Sequence, residues 1–187
     1  MNLKNTLLAA LAVATLAIAP LTASAQKTDP MVGGAAMYPT KTIVENAVNS
    51  PINTTLVAAV KAAGLVDTLN SKGPFTVFAP TNDAFAKLPS GTVDTLLKPE
   101  NKDMLVKILT YHVVPGRIST KELDKMIKKG GGTATLKTVQ GEPLTFTMSG
   151  GSILITDAKG GTANITTADV FQSNGVIDVI DSVLMPN

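Results

Sequence analysis

Residues 75–85 read Phe75-Thr-Val-Phe-Ala-Pro-Thr-Asn-Asp-Ala-Phe85, and these residue types specify a strand, a stop and a helix start in turn. The apolar run from Phe75 to Ala79 has the length and β-favouring residues of a buried strand. Pro80 ends the ladder because it has no N–H to donate. Thr81, Asn82 and Asp83 follow, and their side-chain oxygens suit the orphan N–H groups of a helix start. Ala84, Phe85 and Leu88 then supply a short apolar helical face.

Upstream of this stretch the pattern is helical. Thr42-Ile-Val-Glu45 has the spacing of a capping box, with Ile43, Val44, Ala47 and Val48 as its apolar stripe. Leu56, Val57, Val60 and Ala63 predict a second helix, closed by Gly64 as a left-handed cap. Downstream, Thr92 to Leu97 predicts a short helical turn. Asn101 to Tyr111 carries Met104, Leu105, Ile108 and Leu109 at helical spacing. Pro115-Gly116 marks a tight turn, and Ser119-Thr-Lys-Glu122 is a second capping box.

After Gly130-Gly-Gly132 the period changes. Leu144, Phe146 and Met148 alternate with Thr145 and Thr147, as on a half-buried strand. Gly150-Gly151 suits a hairpin turn, with Ile153 to Thr156 as the return strand. A further strand is expected near Ala163 to Thr166, and a last apolar run spans Val176 to Leu184. Helices first and strands second indicate an α+β domain. The expected core comprises Ile43, Leu56, Val60, Leu65, Phe75, Val77, Phe78, Phe85, Leu105, Ile108, Leu109, Val113, Leu144, Phe146, Ile177 and Val183, forming one continuous interior.

The ends of the chain read differently. Residues 1–25 have a short basic start at Lys4, an uncharged apolar stretch and Ala23-Ser24-Ala25, the pattern of a secretory signal peptide cleaved before Gln26. Residues 26–39 mix Pro30, Gly33, Gly34 and Pro39 with small residues and predict a flexible linker. The folded domain is expected over residues 40–187. No later run is long and apolar enough to span a bilayer, so no stable membrane insertion is expected after cleavage, and the destination is secreted, periplasmic or extracellular. Cysteine is absent, which excludes disulfides, thiolate metal sites and a cysteine nucleophile. The formal charge of the 187 residues is +2, with one arginine (Arg117) and no tryptophan, so nucleic acid is not an expected partner.

Three blocks, in order, carry a family resemblance: Phe75 to Phe85, Leu109-Thr-Tyr-His-Val-Val-Pro-Gly116, and Asn174-Gly-Val-Ile-Asp-Val-Ile-Asp-Ser-Val-Leu-Met-Pro186. Together they resemble the fasciclin (FAS1) domain. The resemblance implies a β-wedge flanked by several short helices. It also implies a non-catalytic role in adhesion to a protein or glycan of a cell surface or matrix. The family commonly has a histidine where this chain has Asp178; an unpaired buried aspartate is costly, so either solvent or a local donor is expected there. The oligomeric state is not legible. A competing class, a periplasmic carrier for a small apolar or saccharide ligand, requires an apolar cavity with a few convergent polar groups.

The candidate contact residues come from that resemblance. Tyr111-His112 matches a segment linked with integrin recognition in animal relatives, and Asn101-Lys102-Asp103-Met104 resembles another. Each has a plainer role. His112 is the sole histidine, continues the stripe of Ile108, and has no metal or triad partner nearby in sequence, so a buried ring bonded to backbone is expected. Asn101 and Asp103 suit the first turn of a helix. Lys121, Lys125, Lys128 and Lys129 suit a solvated helix face. The glycine runs lack the Lys-Ser/Thr ending of a phosphate loop. No catalytic, cofactor-binding or metal-binding residues are assigned. The enzyme alternative is a hydrolase pairing a Ser or Thr hydroxyl with His112.

Overall fold

The structure, a computed structural model, describes residues 29–187; the expected leader lies outside the described residues. The described residues open with a small hairpin, β1 (Met31–Val32) and β2 (Ala35–Ala36), followed by α1 (Ile43–Ala47), α2 (Thr54–Ala63) and α3 (Val66–Asn70). The deciding stretch forms β3 (Phe75–Pro80) and α4 (Asn82–Ala86). Next come α5 (Thr92–Leu96), a 3-10 turn at Pro99–Asn101, α6 (Lys102–Tyr111), β4 (Val113–Pro115) and α7 (Thr120–Lys129). Five strands complete the fold: β5 (Thr133–Lys137), β6 (Pro143–Ser149), β7 (Ser152–Thr156), β8 (Thr162–Gln172) and β9 (Gly175–Ile180).

The local signals act as the sequence predicts. Thr81 accepts from the Ala84 N–H and caps α4. Both capping boxes close, Thr42 with Glu45 and Ser119 with Glu122. Gly64 ends α2 in the left-handed region at φ 72°. Gly150 and Gly151, both at positive φ, form the two-residue turn between β6 and β7.

The main sheet runs β4-β3-β9-β8-β7-β6-β5. Among the described strands only β3 and β9 pair in parallel, with Phe75 beside Gly175 and Ala79 beside Val179. The long strand β8 is the corner of the wedge. It pairs with β7 through residues 162–164 and with β9 through residues 165–172, with irregularities around Thr167.

Alternation along β3 and β9 gives each face its own interior. Val77, Ala79, Ile177 and Val179 pack beneath α1, α2 and α6 with Leu56, Val60, Leu105, Ile108 and Leu109. Phe78 and Ile180 point the other way, toward α7 and β5–β7, where they meet Leu123, Ile127, Leu144 and Phe146. The Phe78 and Phe146 rings lie tilted, with centroids 5.4 Å apart. The single expected core is therefore two apolar layers of one domain, because a strand pair buried on both faces serves both. Leu65, Phe75 and Val183, expected inside, are half-buried at the margins.

The expected linker over residues 26–39 is corrected in its described part. Val32 and Met37 are buried, Met37 at 1% exposure, and join the helical-side layer. The Met37 N–H donates to the Pro30 carbonyl at 2.9 Å, closing the hairpin. Two buried apolar side chains supply what this glycine-rich stretch lacks in periodicity.

Candidate functional site

His112 sits where α6 ends and β4 begins, a position set by the Ile108–Leu109 stripe that carries the ring inward. It is 2% exposed. Nδ1 lies 2.9 Å from the Ile108 carbonyl and therefore donates, while Nε2 accepts the Leu184 N–H at 3.0 Å. The neutral tautomer with hydrogen on Nδ1 satisfies both bonds. Burial pushes the imidazole down to about 4. With both nitrogens spent on backbone, the ring has no lone pair free to take a proton from a hydroxyl, so the arrangement offers no general base.

Tyr111 is fully buried on the opposite layer. Its hydroxyl donates to the Pro143 carbonyl and accepts the Ala158 N–H, both at 2.9 Å. Burial raises its pKa. Adjacent residues of the Tyr-His pair thus lock opposite layers, one to the C-terminal segment and the other to the β7–β8 loop. As candidate contacts they are not on the surface; reaching either ring requires opening the interior.

The other candidate segment is outside. Asn101 is half-buried, Lys102 and Asp103 are exposed, and Met104 is 57% exposed. Asn101 does not cap α6 with its side chain, as the sequence suggests; its amide donates to the Thr95 carbonyl at 2.7 Å and ties α6 to the end of α5. Asp103 lies in the first turn of α6, where the helix dipole favours a negative charge. The chain therefore separates the two candidate segments into a buried pair and an exposed turn.

Asp178 has no solvent exposure. Of the two alternatives expected from the sequence, solvent or a local donor, the structure shows a donor: Oδ1 accepts the Asp169 N–H at 2.8 Å, while Oδ2 has no partner among the described residues. Burial pushes this carboxyl up to about 7, with the Asp169 charge adding to the rise. Asp169 is the one non-glycine described residue at positive φ (56°), and its carboxylate accepts both the backbone N–H and the hydroxyl of Thr120 at the start of α7. Asp181, by contrast, faces Asn164 and Lys87, so the two aspartates of the closing block form no dyad. Nothing in the sequence signals that the Asp178 side chain enters the apolar layer, except its place in an unbroken apolar run.

Among the lysines of α7, Lys128 pairs with Asp124 at 2.5 Å across one turn. Among the described residues no three His, Asp or Glu side chains gather as a metal set. No described helix is long and apolar enough to cross a membrane.

Comparison with known proteins places these features in context. A family model described as the Fasciclin domain matches residues 51–186. Protein sll1483 of Synechocystis sp. is 50% identical over 177 residues, covering 95% of this chain and 90% of that protein. Immunogenic protein MPB70 of Mycobacterium bovis is 43% identical, covering 74% of this chain and 65% of its own length. Cell surface glycolipoprotein MPB83 of the same organism is 37% identical over 160 residues, covering 83% of this chain and 64% of that protein. The chain thus spans about two thirds of each mycobacterial relative. Among solved structures, a FAS1 domain pair from the insect cell adhesion molecule Fasciclin I aligns with a TM-score of 0.69 and 24% identity, over 79% of this chain and 51% of that one. That likeness establishes the fold.

Proposed function

The chain belongs to the fasciclin domain family, and from that premise we propose that it is an exported, non-catalytic interaction module. It contacts a protein or glycan of a cell surface or matrix through the exposed start of α6. The observation that carries this reading is the division between the two candidate segments. The sole histidine is spent on two backbone bonds, and Tyr111 on two more, while Lys102, Asp103 and the largely exposed Met104 present a mixed polar and apolar turn to solvent. An exposed apolar side chain on the same turn as exposed charged ones is the chemistry of a small contact site.

Export is supported by the leader-like first 25 residues and by relatives described as cell-surface and immunogenic proteins. A single contact turn binds weakly alone, so function depends on display in many copies or on oligomers. The test is fractionation of producing cells, followed by pull-down of envelope, matrix and glycan fractions with the purified protein. Recovery from the envelope or medium, with specific retention of a macromolecule, supports the reading. Recovery only from the cytoplasm contradicts it.

A further inference from the structure

Beneath α2, between the first three helices and the sheet, lies a cavity of about 50 Å³. Its walls are side chains of Val57, Val60, Val77, Leu109, Val113 and Ile177. Three polar side chains also touch it, and each is already committed. Ser50 donates to Asn53, Asn53 donates to the Pro80 carbonyl, and His112 uses both ring nitrogens on backbone. What polar capacity remains is confined to Ser50 and Asn53, while the rest of the lining is apolar, and a cavity with too few polar partners for a water stays dry. A saccharide lacks polar contacts there for the same reason, and the space is far below the roughly 300–1,000 Å³ of sites for larger ligands.

The cavity has a mouth. Val44 and Ala47 of α1, Val57 of α2 and Val66 of α3 line it while remaining half-exposed, and the exposed Lys61 lines it as well. No described carboxylate lies within ion-pairing distance of the Lys61 ammonium. Glu45, the acid on α1, spends its carboxylate on the Thr42 N–H at 2.7 Å. A dry slot with a cation at its rim selects a guest with an apolar tail and an anionic head. At roughly 25 Å³ per carbon, the ratio at which an apolar cavity of about 150 Å³ takes benzene, the slot holds about two carbons of a chain end.

We propose that this slot binds the alkyl end of a straight-chain carboxylate, with the head group at Lys61. Each buried methylene contributes about 0.8 kcal/mol, so chain length dominates affinity and the surface charge adds a smaller preference.

The test uses the purified full chain with labelled methyl groups, titrated with hexanoate, hexan-1-ol and acetate and followed by NMR. Hexanoate is expected to give saturable shifts at the Val57, Val60 and Leu109 methyls, with affinity at least about tenfold above acetate. Lys61→Gln is expected to weaken hexanoate about two- to fivefold and leave hexan-1-ol unchanged. Val57→Phe, which fills the mouth, is expected to remove the response to both. Three results overturn the proposal: hexanoate binding no tighter than acetate, shifts scattered over the surface instead of the cavity methyls, or hexan-1-ol matching hexanoate in the unaltered protein. Lys61 lies on the surface, so its variant keeps the test decisive if Val57→Phe fails to fold.

Discussion

His112 Nε2 accepts the backbone N–H of Leu184 at 3.0 Å, joining two residues 72 positions apart. Through Nδ1 the same ring holds the Ile108 carbonyl, and the His112 carbonyl accepts the Phe78 N–H at 2.9 Å. One residue therefore ties α6, β3 and the C-terminal segment. Replacing it with alanine removes a buried ring and orphans the Leu184 N–H, so His112→Ala is expected to cost about 2–4 kcal/mol in denaturant melts. A loss below about half a kilocalorie would contradict this role.

The two groups with the largest shifts, His112 and Asp178, give opposite pH dependences. His112 falls from 6.5 to about 4 on folding, so its contribution is fully present above pH 6.5 and is lost as pH falls toward 4. Asp178 rises from 3.8 to about 7, so folding is favoured below about pH 4, and stability is lost as pH climbs toward 7. The slopes oppose each other between about pH 4 and 6.5, so these two groups largely cancel there, while the lowered carboxyls of Glu45, Glu122, Glu142 and Asp181 leave stability rising with pH at the acid end. Asp178→Asn removes one slope. It keeps the acceptor for Asp169 but leaves an unpaired amide, so the expected gain at pH 8 is about 1–3 kcal/mol, shrinking toward pH 4. Chemical melts across this range, showing a constant difference between the variant and the original, would rule out the buried-acid account.

Tyr111 supplies a second lock. Tyr111→Phe keeps the packing but strands the Pro143 carbonyl and the Ala158 N–H. The expected cost is about 1–3 kcal/mol, with faster amide exchange at Ala158. Unchanged exchange there would show that the hydroxyl bridges nothing in solution.

At the start of the parallel pair, Gly175 lies against β3. A Cβ there would sit 2.2 Å from the Phe75 carbonyl oxygen and 2.8 Å from Ile43 Cδ1. Gly175→Ala is expected to force β9 from β3 and cost at least about 3 kcal/mol or prevent folding, because backbone cannot yield as a flexible side chain can. A thermal midpoint within a few degrees of the original would contradict the close approach.

Much of this was legible locally. Phe75–Phe85 combines strand, proline stop and cap within one stretch, and Thr42 and Ser119 each carry their own capping partner three residues on. The missed features depend on distant chain. The hairpin of Met31 to Ala36 is held by burial of Val32 and Met37, which no short-range period announces. Parallel pairing of β3 with β9 joins segments a hundred residues apart, so neither strand signals its partner. The burial of Asp178 depends on Asp169, whose left-handed backbone sits in an irregular stretch of β8. At the candidate site, the sequence anticipates a buried His112 bonded to backbone, but its link to Leu184 arises only when the C-terminal segment folds back.

Under the proposed function the exposed turn at Lys102–Met104 makes the contact while the buried Tyr111 and His112 hold the fold. Retention of the purified protein on envelope and matrix fractions should therefore be measured for Met104→Asp and Lys102→Glu beside the original, with melts of each. The account predicts retention reduced about tenfold or more with melting within about 0.5 kcal/mol of the original, since the altered side chains are exposed. Undiminished retention by both stable variants would contradict it.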